Sequence, residues 1–175
     1  MTRLQGERVV IRPLLLDDLD RLFEGRLGLA EQGVLAARPN REQLRSDLAQ
    51  WGKLRDGRIN LGIELDGCLV GEIQTFQPSG SPPCQARGSP ELGISIYDVA
   101  DRGRGVGTDA VRLFLDWLFQ QGVGQIQAST APTNQAMRKV LERVGFAHAD
   151  HGERPRSEYV LYRLTRATWR AASDA

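Results

Sequence analysis

A glycine-rich stretch at residues 101–108, with the sequence D-R-G-R-G-V-G-T, constrains this chain more than any other feature. It follows a run typical of a β-strand and precedes a run typical of a helix. Glycine lets the backbone turn sharply and removes Cβ atoms that would keep a ligand away, and the first N–H groups of a helix favour an anion. The stretch therefore predicts a phosphate or pyrophosphate site, to which Arg102 and Arg104 would add charge-assisted hydrogen bonds. The alternative is a tight surface turn without a ligand.

The composition is that of an ordinary globular protein, and we expect a single domain over residues 1–175. The chain is 41% apolar and 26% charged, and its formal net charge of +1 gives no support to a nucleic-acid or anionic-membrane partner. No apolar run approaches the length of a membrane span, and the N-terminus lacks the apolar region of a signal peptide. Cys68 and Cys84 fit neither a CxxC pair nor a disulfide framework, so we expect a cytoplasmic protein.

Patterning along the chain predicts an α+β fold with the element order β-α-α-β-β-β-α-β-α-β-β. Apolar and polar residues alternate over residues 59–65, as in a half-buried strand, and Asp66-Gly67 favours a tight hairpin. Gly25 and Gly28 are expected to loosen the chain after the first helix begins, and Gly145 is expected to end a later helix. Residues 77–90 are predicted to form a long loop, and the last ten residues a frayed or docked helix. Hairpins followed by a β-α-β crossover indicate a mixed sheet.

Two other nucleotide-binding motifs use a similar turn, and both lack a required partner here. Residues 105–110 satisfy the dinucleotide pattern G-x-G-x-x-A, but that pattern needs an acidic residue about 20 positions later. No Asp or Glu occurs between Trp117 and Leu141. The Gly52-Lys53 pair is followed by Leu54, which excludes a P-loop.

Two motifs at their present spacing resemble those of the GNAT N-acetyltransferases. Arg102-x-x-Gly105-x-Gly107 matches the acetyl-CoA signature R/Q-x-x-G-x-G/A of that family. About 25 residues later, residues 134–146 (N-Q-A-M-R-K-V-L-E-R-V-G-F) are similar to the second family motif. Residues 8–16 and 91–93 are similar to the branch that contains the ribosomal-protein N-terminal acetyltransferases. The resemblance covers nearly the whole chain.

The resemblance implies a GNAT-like, mostly antiparallel sheet of six to seven strands flanked by about four helices, with a slot where the fourth and fifth strands splay apart. It implies acetyl-CoA as co-substrate, with Ile96 and Tyr97 pairing with the pantetheine arm and Asn134 forming a hydrogen bond to it. The pyrophosphate would lie on the backbone amides of Arg102, Gly103, Arg104, Gly105, Val106, Gly107 and Thr108. The implied activity is direct transfer of an acetyl group to a primary amine, on a peptide N-terminus or a small molecule. The alternative is a non-catalytic module of the same fold that binds or senses acyl-CoA.

The catalytic groups are harder to assign from the sequence. Strand parity makes Glu91 and Glu72 the candidates for a general base, and Tyr97 is a candidate proton donor beside water. The position where many family members carry a tyrosine holds Leu141 here. The positions where other relatives carry a serine or a carboxylate hold Met137 and Ser129, respectively.

A short cluster of ligand-type residues, His148, Asp150, His151 and Glu153, raises the alternative of a metal site. The end of a strand is usually exposed, and the acetyl transfer implied by the resemblance needs no metal. We therefore expect no metal ion. The identity of the acceptor and the oligomeric state stay open, with a homodimer as one option.

Overall fold

The computed structural model describes residues 3–35, 37–55, 58–77, 89–154 and 157–173. The first half contains β1 (Leu4–Gln5), β2 (Val10–Arg12), α1 (Leu19–Glu31), α2 (Arg41–Leu48), β3 (Ile59–Leu65) and β4 (Cys68–Phe76). The second half contains β5 (Glu91–Ile96), α3 (Val106–Gln120), β6 (Gln125–Thr130), α4 (Gln135–Arg143), β7 (Ala147–Arg154), β8 (Ser157–Thr165) and α5 (Arg166–Ser173). Short 3₁₀ turns precede α1 at Leu16–Asp18 and follow β5 at Val99–Asp101. Most of the predicted loop at 77–90 lies outside the described residues.

The strands form one mixed sheet in the order β1-β2-β3-β4-β5-β6-β8-β7. All neighbouring pairs are antiparallel except β5 and β6, which are parallel and are joined through α3. The predicted α+β class and element order are confirmed. The sheet and the helix set are each larger than predicted. The sheet includes β1, which pairs with β2 over only two residues, and the helix set includes α5 as a defined helix. A two-residue strand has no periodicity of its own that a sequence could reveal.

The sheet is covered on both faces, and this corrects the prediction of a half-buried β3. Ile59, Leu61 and Ile63 point to the face covered by α3, which we call the α3 face. Asn60 and Gly62 point the other way and are also buried, because α1 and α2 cover that side, the α1 face. The main core residues on the α3 face are Ile11, Leu61, Ile63, Ile73, Phe114, Leu115, Leu118, Ile126, Leu141 and Tyr162. The α1-face cluster comprises Leu14, Leu19, Leu22, Leu29, Leu44, Leu48, Leu69 and Tyr97.

Local sequence signals behave as predicted at the Asp66-Gly67 hairpin and at the Gly145 helix end. Asp66 and Gly67 take positive φ values of 50° and 81° in the β3–β4 hairpin. Gly145 ends α4 with a φ of 90°, and Asn40 caps α2 by accepting the Gln43 N–H at 3.0 Å. The C-terminal helix is docked, because the indole N–H of Trp169 donates to Asp116 on α3 at 2.7 Å. Within the described ranges, no helix combines the length and apolarity needed to cross a membrane.

The prediction that Gly25 and Gly28 loosen the chain is wrong, since α1 runs through both to Glu31. Gly25 is needed for packing. A Cβ atom at this position would lie 2.4 Å from the ring of Tyr97, which packs against the helix there. The glycine thus lets the end of β5 approach α1 closely enough to bury the tyrosine ring.

We expect Gly25→Ala to lower the free energy of unfolding by about 1–3 kcal/mol through overpacking against Tyr97. This loss would occur even though alanine favours helix by roughly 1 kcal/mol. Gly28→Ala is the matched control, because its Cβ would meet only the side chain of Gln32 at 4.0 Å. That variant should gain roughly 0.5–1 kcal/mol. Urea unfolding curves measure both, and equal shifts in the same direction would contradict the packing argument.

Candidate functional site

A gap opens in the middle of the sheet, between β5 and β6. The two strands are paired at one position, Glu91 opposite Gln127, where the Gln127 N–H donates to the Pro90 carbonyl at 3.0 Å. Beyond this point β5 stays paired with β4 as far as Ile96, while β6 stays paired with β8. The strands therefore diverge from Glu91 onward and leave a slot that is closed at one end.

Main-chain groups of β5 point into this gap. The Tyr97 N–H donates to the Val70 carbonyl on β4 at 2.9 Å. Because alternate residues of a strand direct their main-chain N–H and C=O groups to the same side, the residues of β5 with odd numbers direct theirs to β4. Ile94 and Ile96 have the opposite parity and direct theirs to the side that β6 has left. An extended ligand with amide groups would find strand-like partners along this edge.

The side chain of Arg102 turns back from the glycine-rich turn onto the end of β5. Its guanidinium donates to the carbonyls of Ile96 at 3.1 Å and Tyr97 at 2.9 Å, and to the side chain of Gln32 at 3.2 Å. Its backbone N–H donates to the Val99 carbonyl at 3.1 Å. Nε, one Nη and the backbone N–H of Arg102 are thus engaged within the protein, so this residue fastens the end of β5 to the glycine-rich turn.

The rest of the turn presents free amides at the open end of the gap. Gly103 and Gly105 have φ values of 73° and 86°, a left-handed conformation that glycine adopts without strain. Gly105 is the N-cap of α3 and makes no side-chain cap bond. The N–H groups of Val106, Gly107 and Thr108 in the first turn of α3 thus have no intrahelical acceptor, and the helix dipole favours an anion beside them.

Gly107 differs from Gly103 and Gly105 because its backbone conformation does not require glycine. It lies inside α3 with ordinary helical geometry, and a Cβ there would meet only Ile94 Cδ1, at 3.9 Å. The fold therefore has room for a side chain, and glycine costs roughly 0.5–1 kcal/mol relative to alanine in a helix. Contact with Ile94 places this bare helix surface over the gap, where a ligand would need the space.

Glu91 lies at the closed end of the gap, on the α1 face, and is 3% exposed. Its Oε1 accepts a hydrogen bond from the hydroxyl of Ser129 on β6. Beside it, Gln127 is 2% exposed and its side-chain oxygen has no hydrogen-bond partner in the described structure. A buried carboxylate and a buried amide therefore mark the point where the strands part.

Glu72, the other carboxylate predicted as a base, is held in a buried ion pair. Both its oxygens accept from Arg26, at 2.8 Å and 2.6 Å, and Asn60 donates to it at 3.0 Å. The Arg26 guanidinium also stacks on Trp51, 5.1 Å from the ring centroid. Burial lowers the pKa of Arg26, but pairing with Glu72 outweighs burial and raises it above its ordinary value. The arrangement joins α1 to β3 and β4.

Tyr97, predicted as a proton donor, is buried in the α1-face cluster and is 3% exposed. Its hydroxyl has no hydrogen-bond partner among the described residues. Burial raises the pKa of this phenol far above its usual range, and the nearby charge of Glu72 raises it further. The group is therefore a very weak acid whose ring lies on the face opposite α3.

The second motif places Asn134 at the start of α4. Its Oδ1 accepts the Met137 N–H at 3.1 Å, so its carbonyl oxygen caps the helix and its amide NH₂ is the part suited to donate to a ligand. Leu141 is fully buried, which leaves no proton donor at the tyrosine position. No sequence pattern pointed to Tyr162, whose hydroxyl accepts from Arg138 at 3.1 Å and donates to Glu142 at 3.0 Å.

The histidines predicted as an alternative metal site form a ring pair on β7, with His148 and His151 centroids 4.5 Å apart. The His148 ring also meets Tyr162 edge-on at 5.7 Å. Among the residues that the structure describes, no three His, Cys, Asp or Glu side chains come together as a metal site would require.

Comparison with known proteins agrees with this geometry. The chain matches the family model for the acetyltransferase (GNAT) domain over residues 8–147. The protein therefore belongs to the GNAT acetyltransferase family, and its class of enzyme is acetyltransferase.

Similar proteins span almost the same length. The probable N-acetyltransferase YjcK of Bacillus subtilis strain 168 is 24% identical over 156 residues, which cover 82% of each chain. The ribosomal-protein-S5-alanine acetyltransferase from Vibrio fischeri superposes with a TM-score of 0.80 at 17% identity, covering 97% of this chain and 99% of its own. The aminoglycoside acetyltransferase AAC(6')-Ib in complex with coenzyme A gives 0.76 at 23%, covering 94% and 99%. These structural likenesses establish a shared fold.

We expect Glu72→Gln to lower the free energy of unfolding by about 3 kcal/mol, because it leaves the Arg26 guanidinium without a countercharge. The double variant Arg26→Met/Glu72→Met should lose less, since apolar side chains of similar size can replace a buried ion pair. Urea unfolding at neutral pH measures both variants. A single variant as stable as the parent would contradict a scaffolding role for this pair.

Proposed function

We propose that the protein is an acetyl-CoA-dependent N-acetyltransferase that transfers the acetyl group directly to a primary amine while both substrates are bound. One observation carries the proposal: the gap between β5 and β6 opens beside the free amides that begin α3. A ligand with a phosphate end and an extended amide-bearing arm matches this pair of features, and coenzyme A has both parts.

The residues present fit such a co-substrate. We propose that the amides of Gly103, Arg104 and Gly105 and of the first turn of α3 hold the pyrophosphate, with Gly107 leaving room for it. Main-chain groups of Ile94 and the N–H of Ile96 would pair with the pantetheine arm, and the Asn134 amide would donate to it. Arg102 would act indirectly, by fixing the end of β5 through the carbonyls that its guanidinium binds.

The acceptor is proposed only at the level of its reacting group. Two similar structures are named for acetylation of aminoglycosides and of a ribosomal-protein alanine. The feature shared by those two acceptors is an amine, and we extend that feature alone to this chain. The cytoplasm is the proposed compartment, because the two cysteines form no disulfide framework by their spacing.

Acetyl-CoA supplies the acetyl group as a thioester, whose C–S bond breaks while the C–N bond to the amine forms. The chain contributes position, which by itself is worth on the order of 7–11 kcal/mol in favourable cases. We propose Glu91 as the group that takes the proton of the incoming ammonium, because it is a buried carboxylate at the closed end of the gap. Glu72 would anchor the neighbouring strands, and water would protonate the leaving thiolate.

The test of the proposed function is thiol release from acetyl-CoA with a panel of peptide, sugar and aliphatic amines, together with calorimetric binding of CoA. We expect turnover with at least one amine and at least tenfold weaker CoA binding by Gly107→Val, with little change in stability. The weakening follows because the added side chain fills the space left over the gap. Binding of CoA without turnover by any amine would instead favour a module that senses acyl-CoA.

The proton acceptor has its own test. Glu91→Gln should lower turnover about 10²-fold near neutral pH, within the range of general-base catalysis. The deficit should shrink as pH rises, because more of the amine then arrives unprotonated. CoA affinity should stay the same, as the phosphate site lies at the other end of β5. A deficit that is constant with pH would mean that Glu91 orients the acceptor, and a pH-dependent loss in Glu72→Gln alone would move the role there.

A further inference from the structure

The glycine-rich turn has a cation beside it that comes from the opposite end of the sequence. Nε of Arg8 lies 3.3 Å from the position that a Cβ of Gly105 would occupy, and Cζ of its guanidinium lies 3.8 Å from it. Arg8 is exposed, and its guanidinium makes no hydrogen bond or ion pair to any residue in the described ranges. We infer that Arg8 is a phosphate-binding residue of the co-substrate site, an inference that rests on the proposed function.

The backbone of Arg8 is fixed by the helix that begins at the turn. Oδ2 of Asp109, in the first turn of α3, accepts the N–H groups of Arg8 at 2.7 Å and Val9 at 3.1 Å. The N–H of Gly6 donates to the Val9 carbonyl at 2.9 Å, and a Cβ at Gly6 would lie 2.8 Å from the same carboxylate oxygen. The β1–β2 turn is therefore held closely against the start of α3, and a side chain from this turn is preorganised for a ligand there.

The electrostatics of the turn favour an anion between these groups. The guanidinium of Arg8 lies at the positive end of the α3 dipole, where a cation is unfavourable unless negative charge accompanies it. The carboxylates nearby are already directed elsewhere: Asp109 accepts two backbone N–H groups, and Asp101 lies 3.6 Å from the Arg104 guanidinium. A phosphate that accepts hydrogen bonds from the α3 amides on one side and from Arg8 on the other would neutralise the positive charge at this place.

Arg8 also explains how the turn gains affinity without Arg102. Arg102 is directed to the end of β5, and Arg8 and Arg104 are two further cations of the described residues that lie at the turn. Arg104 is 62% exposed and, among the described residues, pairs with Asp101, whereas the Arg8 guanidinium lies beside the position of a Cβ on the N-cap residue Gly105. The chemistry of an arginine at this place suits either the pyrophosphate or the 3′-phosphate of CoA.

Calorimetry of the full chain with three ligands tests the inference: CoA, 3′-dephospho-CoA and, by displacement of CoA, pantetheine. Arg8→Gln should weaken CoA binding on the order of tenfold, the loss of one charge-assisted hydrogen bond. Pantetheine, which has no phosphate, should bind the variant and the parent equally. A loss that persists with 3′-dephospho-CoA assigns the contact to the pyrophosphate, and a loss that vanishes assigns it to the 3′-phosphate. Arg8→Lys should recover part of the affinity.

The control is Arg112→Gln, which removes an exposed positive charge from α3 away from the turn. It should leave CoA affinity within about twofold, so that a general change in net charge is separated from a local contact. Equal CoA affinity in Arg8→Gln and the parent, or an equal loss for pantetheine, would overturn the assignment while leaving the proposed function intact. Failure of the parent itself to bind CoA would overturn both.

Discussion

The site depends on one backbone constraint: the two parallel strands at the centre of the sheet share a single point of pairing. Each strand is held by a long antiparallel ladder to its outer neighbour, β5 to β4 and β6 to β8, and Glu91 opposite Gln127 is where they meet. The crossover through α3 sets the start of that helix at the open end of the resulting gap. Main-chain hydrogen bonds that a continuous sheet would satisfy internally are thereby left for a ligand.

The two buried carboxylates near this gap differ in where the fold places them. Glu72 faces a full cation, Arg26, in a two-point contact that a proton on the carboxylate would disrupt. Glu91 accepts from the neutral hydroxyl of Ser129, across the point where the strands separate. A carboxylate locked to arginine gives rigidity to the face on which α1 and α2 pack, whereas the one at the strand junction lies where the proposed acceptor amine would arrive.

The glycines of the turn divide into two physical roles. Gly103 and Gly105 have left-handed backbone conformations, so any side chain there would strain the chain before a ligand is considered. Gly107 is helical and has space around it, so the fold does not require glycine there, and in the proposed function the missing side chain leaves room for the ligand. The same motif thus combines positions that the fold requires with a position that the proposed ligand requires. Side chains added along the motif should therefore lower stability at the first kind of position and ligand affinity at the second.

The sequence by itself determined the order of the main elements, the hairpin at Asp66-Gly67, the helix end at Gly145 and the glycine-rich turn before α3, because those features depend on local periodicity and on φ values that only certain residues adopt. Only the tertiary structure decided that Arg102 turns back onto β5, that Tyr97 is buried beneath α1, and that Arg8 reaches a turn nearly a hundred residues away. Those outcomes depend on which surfaces pack together. A side chain's partner across the fold is set by strand order and helix packing, which no local pattern encodes.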